Sequence, residues 1–480
     1  MFGLSPLQKD AIGLTFLVNQ LSPASPYGGE KIKQIAPFGR DCGEELAACF
    51  GNLETIIFLL KENSAEMEEL RLHLMEMKNI SGSIAQCKTQ TLNTVELFEI
   101  KNFLLVFEKL HGVFKAITAK APFKNIHLQP MPDALAILDP DALRIAAFTA
   151  DSAELQAIRR EKLHTESLLQ KETKPSAKEV LAAKRFALVQ KEAAEEALVL
   201  RQLSEKLRPH LAVFLSNIDN IGALDMAIAK AALALKYNAV RPKINDGEKL
   251  LFQNMSNPYI EDALSKNNQT MTKVSITMTK GVTIITGANM GGKSVAMKTA
   301  VLNAMLCQMG FFVFAERAEI PLFDDIYLIS EDMQDAERGL SSFGAEIARF
   351  NEIAARLKTG FLFVALDEFA KGTNPHEGAC IVRAAAAYLA DSGSVCVLST
   401  HYDGIVSPEF RHYQVAGLKL PDTQAQASGG IASIAACMDY SLIEAEANAA
   451  PPRDALNVCK LLGLDAEVLA CIERAYTESS

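Results

Sequence analysis

Eight consecutive residues, Gly287-Ala-Asn-Met-Gly-Gly-Lys-Ser294, constrain this chain more than any other stretch. They match GxxxxGK[ST] in full, directly after the apolar run Val282 to Thr286 and ahead of a helical pattern. Glycines here let backbone N–H groups turn inward around phosphate oxygens, and the helix that follows offers its positive end to the anion. The strand before and the helix after are the context that separates a phosphate loop from a bare glycine-rich turn. Gly287, Asn289, Gly291, Gly292, Lys293 and Ser294 are therefore the nucleotide-binding candidates. Lys293 should reach the β- and γ-phosphates, and the Ser294 hydroxyl should ligate a metal. The expected ligands are ATP and Mg2+.

A second apolar run, Phe361 to Leu366, ends in Asp367-Glu368. By itself this is weak, because any buried strand can end in acids. Downstream of a phosphate loop, Asp367 is expected to help hold Mg2+ and Glu368 to polarise the attacking water. A third run, Val395 to Ser399, closes in Ser399-Thr-His401. A lone strand-end histidine is commonly structural; beside the two preceding motifs, His401 is read as catalytic, sensing the γ-phosphate or orienting the water. Between the first two motifs, Asp335-Ala-Glu-Arg-Gly-Leu-Ser-Ser-Phe-Gly-Ala-Glu346 puts Ser341 and Ser342 just before a helix that starts near Phe343. Small donors at a helix N-terminus suit phosphate, yet the loop at 287–294 already serves its own nucleotide. On these residues two readings stay open. Ser341 and Ser342 serve a second subunit's nucleotide, or Ser342 simply caps the helix with Glu346 as its partner.

A chain of 480 residues exceeds what one core normally holds, so two or three domains are expected. Residues 1–40 read as an N-terminal extension. Between about 40 and 120 apolar residues recur at helical spacing, as in Leu53, Ile56, Ile57 and Leu60. Pro122, Pro130, Pro132 and Pro140 then break helices and mark a connection. Two long antiparallel helices follow over 150–210, broken at Lys174-Pro175, with Ala183, Phe186, Ala187, Ala193, Ala194, Ala197 and Leu200 on one face. Balanced charge makes this hairpin more easily a solvated structure than a DNA-gripping arm. Residues 216–237 read as a buried helix. After Arg241-Pro242 the three apolar runs, with helices between them, read as parallel strands of an α/β sheet, and Tyr413 to Leu420 with Tyr440 to Glu446 as an antiparallel hairpin at its edge. Pro452 to Leu462 reads as a closing helix.

The net charge of −10 argues against a chain that coats nucleic acid nonspecifically, though it leaves room for a local basic groove. Nine cysteines without a CxxC pair fit reduced thiols, Cys307 and Cys396 among them as core filler. There is no signal-peptide pattern and no run of about 18 uncharged apolar residues, so the expected location is cytoplasmic, with no membrane partner.

Taken together, TGANMGGKS, the D-x-x-x-G-x-S-S-F segment, LDEFAKGTNPHEG and STHY resemble, in order and spacing, the ATPase domain of the MutS family of DNA mismatch-repair proteins. Asn93 to Leu104 and Tyr237 to Pro242 look like that family's helical core, and Ala455 to Leu464 extends the likeness downstream. The resemblance implies an ABC-type P-loop ATPase domain over 241–480 ending in dimerisation helices, preceded by an all-α helical core and lever domain over 41–240. It also implies a dimer of identical or related chains with composite sites, in which Ser341 and Ser342 face the partner's γ-phosphate.

Departures bear on what the ATPase would move. About 40 residues ahead of the helical core leave no space for mismatch-reading and connector domains, and they hold no Phe-x-Glu wedge. The hairpin looks short for a DNA clamp, and no C-terminal nuclease-type domain is expected. Ala288 and Ala370-Lys371 replace the family's usual proline and Gly-Arg pair without removing a catalytic group. Three functions are consistent with these features. One is a DNA-binding ATPase whose levers close on a duplex through residues such as Arg159, Arg160, Lys184 and Arg185. Another is an ATP-driven chaperone or reactivating factor for a protein client such as a cofactor-dependent metabolic enzyme. The last is a regulatory dimer that uses ATP as a slow switch.

Overall fold

The computed structural model describes residues 3–247, 249–287, 292–330, 342–418, 438–446, 455–461 and 463–478. The chain forms two compact units, one of 1–21, 35–50 and 232–480 and the other of 22–34 and 51–231. The 40 residues read as an N-terminal extension are thus shared between both.

In chain order the first part is all helical: α1 (Pro6–Ala11), α2 (Leu14–Val18), α3 (Pro26–Lys33), α4 (Gly43–Glu62), α5 (Ser64–Glu76), α6 (Ser81–Cys87), α7 (Thr94–Lys120), α8 (Pro132–Leu138), α9 (Ala153–Lys171), α10 (Pro175–Leu207) and α11 (Leu211–Lys236). Strands and helices then mix: β1 (Lys243–Asn245), β2 (Lys249–Met255), α12 (Pro258–Ser265), β3 (Val274–Thr279), β4 (Gly281–Thr286), α13 (Lys293–Gln308), β5 (Arg317–Pro321), β6 (Asp325–Ile329), α14 (Ser342–Leu357), β7 (Leu362–Asp367), α15 (Pro375–Ala390), β8 (Val395–Thr400), β9 (Arg411–Leu418) and β10 (Met438–Glu444). Two helices follow, α16 (Ala455–Leu461) and α17 (Ala466–Glu478).

Within the helical unit, α7 is started by a reciprocal cap. The Glu96 N–H donates to Asn93 Oδ1 at 2.9 Å and the Asn93 N–H to Glu96 Oε2 at 2.8 Å, satisfying two donors that a helix start leaves unpaired. Its buried face carries Phe103 and Phe107, stacked at 6.0 Å, with Phe214 of α11 6.1 Å from Phe103. The run Pro175–Lys236 holds an 18-residue window of mean hydropathy 1.3, apolar enough by composition to cross a membrane. Its α11 portion is core: Phe214, Ile221 and Leu224 are buried, and Asp225 there accepts from the Ala24 N–H, the Ser25 N–H and the Ser25 hydroxyl.

The proline-rich connection differs from the sequence reading. Pro132 begins α8 rather than breaking a helix, because a first-turn proline gives up an N–H that would be unpaired anyway. Just beyond it, Asp139 is buried against Lys101, Oδ1 to Nζ 3.0 Å, and its Oδ2 accepts from the Arg144 N–H at 3.0 Å. Burial pushes the Asp139 carboxyl up, but the Arg144 N–H and the Lys101 ammonium outweigh it and hold the group below the usual carboxylate range. Its contribution to stability is therefore complete above the ordinary carboxylate value and is lost as pH falls through the lowered folded value. Lys101→Met leaves this carboxylate without its ammonium. We expect a loss of about 3 kcal/mol in denaturant unfolding, largely restored by adding Asp139→Leu. An unchanged midpoint in the single variant would refute the pairing.

The hairpin of α9 and α10 is antiparallel, as the sequence indicated, and of the residues read as one face all but Leu200, which packs near Leu155 and Val199, lie outward. Phe186 is 64% exposed and Ala183, Ala187, Ala193, Ala194 and Ala197 are exposed as well, while Leu188 and Val199 point inward. Ion pairs run across the hairpin in this orientation. Arg159 meets Glu192 at 3.1 Å, Lys184 meets Glu161 at 2.7 Å and Arg185 meets Glu166 at 2.8 Å.

The other unit contains two sheets. One, in the order β1-β5-β2-β3, is mixed and was not resolved in the sequence reading. The other runs β10-β9-β4-β8-β7-β6. In it β9, β4, β8, β7 and β6 are parallel, and β10 pairs antiparallel with β9 at the edge. Strands β4, β7 and β8 are buried residue by residue, which is why they read as continuous apolar runs rather than alternating ones. Their cores meet in Ile284, Val364, Leu366 and Leu398, with Val382 and Leu389 of α15 packed in the same cluster. At the β6 edge the Gln8 side chain of α1 donates to the Leu328 carbonyl at 2.6 Å, occupying a group that an edge strand would otherwise expose.

Candidate functional site

Adjacent parallel strands end at the same side of a sheet, so the order β4-β8-β7 brings three separated sequence motifs together. β4 ends at Thr286, β8 at Thr400 and β7 at Asp367; Thr286 lies beside Thr400, and Asp367 beside Ser399.

After β4 the chain enters the phosphate loop through Gly287, whose φ is +140°. A Cβ there would lie 3.0 Å from the Val415 Cβ. Gly292, at φ +86°, caps α13 and leads into Lys293. Both are backbone states that side-chain-bearing residues rarely adopt, and both are met by the motif's glycines. Asn289, Gly291 and Ser341 lie outside the described residues, as does the Ser342 side chain; the Ser342 backbone opens α14.

Lys293 is buried, its Nζ donating to the Gly287 carbonyl at 2.8 Å and lying 3.4 Å from Glu368 Oε1. Burial lowers its pKa and the Glu368 carboxylate opposes that shift. On the other oxygen, Glu368 Oε2 accepts from Lys371 Nζ at 2.7 Å. Burial alone would raise the Glu368 carboxyl, yet Lys371, Lys293 and the nearby His401 hold it below the ordinary value, so it is ionised at neutral pH. His401, exposed just past β8, has its ring 4.5 Å from that of Tyr402.

Asp367 is 6% exposed. Its Oδ1 accepts from the Ser294 hydroxyl at 3.0 Å and from the Ser399 hydroxyl at 2.7 Å. Burial raises its pKa against these two hydrogen bonds. A buried carboxylate with a serine hydroxyl on the same oxygen has the oxygen-donor chemistry of a hard-cation ligand set. Among the described residues no group of three or more His, Cys, Asp or Glu could hold a metal by itself.

Some functional contacts carry no local sequence signal. The Ser399 hydroxyl, which donates to Asp367, also accepts from the Glu368 N–H at 3.0 Å and so fixes both acids. Lys371 was noted in the sequence only as a departure from a family pattern. Glu346, weighed as a capping partner for Ser342, has its Oε2 accepting from the Ala370 N–H at 2.8 Å.

Residues 283–478 match the family described as MutS domain V. Endonuclease MutS2 of Leuconostoc citreum is 27% identical over 392 residues, covering 79% of this chain and 47% of that protein. Endonuclease MutS2 of Acetivibrio thermocellus is 32% identical over 215 residues, 44% of this chain and 26% of that protein. DNA mismatch repair protein MutS of Staphylococcus haemolyticus is 28% identical over 225 residues, 45% and 25% respectively. The matches thus span less than half the length of each of these relatives. The phosphate loop, the paired acids and the strand-end histidine all fall within or at the edge of the matched domain, and the likeness to the first of these relatives reaches well beyond it. Over residues 283–478 the chain matches MutS domain V, an ATPase domain.

Proposed function

We propose that the chain binds and hydrolyses ATP with Mg2+, as a dimer of identical or related chains, and uses the cycle to move its helical part on DNA. The observation that carries the ATPase reading is the convergence of Lys293, Ser294, Asp367 and Glu368 at the ends of β4 and β7. Arrival of the γ-phosphate gives the Lys293 ammonium an anion to bind in place of Glu368, which frees that carboxylate to take a proton from water. Ser294 and Asp367 would hold Mg2+, which when bound neutralises charge developing on the phosphoryl oxygens. His401 stands at the same strand ends to orient the water or sense the γ-phosphate. Ser341 and Ser342 would serve the partner's nucleotide.

DNA as the object rests on the names of the relatives, a mismatch-repair protein and endonucleases. The hairpin favours a second reading, in which the helical part grips a protein client and the chain acts as a chaperone or reactivating factor. Its cations Arg159, Lys184 and Arg185 already face Glu192, Glu161 and Glu166, while Phe186 and Val180 stand exposed. Fluorescence anisotropy with linear, mismatched and branched DNA across salt concentration separates the two. A DNA-binding chain should lose affinity with a log–log slope of about −0.9 per phosphate contacted, and replacing Arg160, Lys184 and Arg185 should flatten that slope. Absence of binding to every DNA, with and without ATP, would sink the DNA reading and leave the protein client.

A further inference from the structure

The turn that follows β7 holds two side-chain-bearing residues in the left-handed region, Glu368 at φ +49° and Ala370 at φ +61°. Such a conformation is disfavoured by contact between Cβ and the neighbouring carbonyl, and it persists only where the surroundings impose it. Three side chains do so here. The Ser399 hydroxyl accepts from the Glu368 N–H at 3.0 Å, the Tyr402 hydroxyl donates to the Ala370 carbonyl at 3.3 Å, and Glu346 Oε2 accepts from the Ala370 N–H at 2.8 Å.

The third contact is the most demanding. Glu346 is a carboxylate at 6% exposure, and the N–H it receives is buried too. Burying a carboxylate is unfavourable unless donors replace its water, so a site with no need of an anion would be expected to use an uncharged acceptor. One turn further along α14, the Phe350 ring lies 5.2 Å from that of Phe369, which sits between the two left-handed residues and is itself buried. The helix thus seizes the turn by its backbone and by its one aromatic side chain.

We infer that Glu346 is a positioning residue for ATP hydrolysis: by clamping the Ala370 N–H it holds the turn in the left-handed form that aims Glu368 at the reacting phosphate. This rests on the hydrolytic role proposed for Glu368. Without the clamp the turn relaxes towards ordinary backbone angles and carries the Glu368 carboxylate with it, while the phosphate loop is left as it was. Misplacing a reacting group by about 1 Å can cost up to a hundredfold in rate.

The test uses the full chain with three changes. Glu346→Met fills the same space without an acceptor, Glu346→Gln keeps an acceptor, and Ala370→Gly, added to Glu346→Met, lets the turn adopt its positive φ without help. Steady-state ATPase assays should show kcat about tenfold to a hundredfold lower for Glu346→Met, with the KM for ATP within about threefold. Glu346→Gln should keep most of the rate. The Ala370→Gly addition should recover at least a third of the lost rate on a logarithmic scale, which a merely structural defect would not. Amide exchange at Ala370 should be slow in the unaltered chain and in Glu346→Gln, and fast in Glu346→Met, a readout that stands even if the methionine variant is too unstable to assay. Unchanged kcat in Glu346→Met, equal losses in the Met and Gln variants, no recovery with glycine, or fast exchange in the unaltered chain each overturns the inference. Failure of the unaltered chain to hydrolyse ATP would instead overturn the proposed function.

Discussion

Lys293→Ala should weaken ATP binding by about a hundredfold, because a charge-assisted contact to phosphate in a buried setting is worth about 3 kcal/mol. The structure says why the effect should fall on binding and leave the fold intact. Lys293 donates to the Gly287 carbonyl and lies 3.4 Å from Glu368, and Glu368 keeps its 2.7 Å contact to Lys371 when the first lysine is removed. No carboxylate is left stranded. Burial already works against the ammonium, so removing it relieves a cost that the free protein bears and the phosphates would offset. Equilibrium binding of a fluorescent ATP analogue, with the melting temperature measured alongside, checks both halves. Wild-type affinity in this variant would refute the phosphate-loop assignment.

The second large effect is expected in turnover. Glu368→Gln preserves shape and the Ser399 contact to its backbone, and removes only the carboxylate that would accept a proton from water. Loss of a general base lowers kcat by about 10² to 10⁴, and here ATP binding should persist or tighten, since Lys293 loses its competing anion. Lys371 and Lys293 hold the Glu368 carboxyl below the ordinary value, so in the unaltered chain the base is already ionised at neutral pH and raising the pH further should add nothing to turnover through this group. Single-turnover hydrolysis and nucleotide retention, measured on the same sample, separate the two effects. A variant that turns over as fast as the unaltered chain would make ATP a switch ligand here, and the regulatory-dimer reading would take precedence.

These two residues were legible in the sequence because their signals are local. A phosphate loop needs its glycines, lysine and serine in one octet, and a buried parallel strand has to be apolar throughout, so β4, β7 and β8 announced themselves and so did the acids at the end of β7. The antiparallel edge pair β9 and β10 and the hairpin break at Pro175 were equally local. The start of α8 at Pro132 was misread because the same residue that breaks a helix interior opens a helix at its first turn.

What the sequence by itself determined, then, is the kind of chemistry and the strands that present it. Only the tertiary structure decided which groups contact the candidate site residues and which faces of the helices lie outward. Ser399 reaches Asp367 because β8 lies between β4 and β7, and Glu346 reaches Ala370 because α14 is set against the turn that follows β7. Neither pairing has a spacing that periodicity could reveal. In the hairpin, helical periodicity picked out a face containing Ala183, Phe186 and Ala187, yet Leu188 and Val199 are the side chains that are buried and that face lies outward. Spacing along one helix shows which residues share a side, but the partner against which the helix packs sets which side is inside.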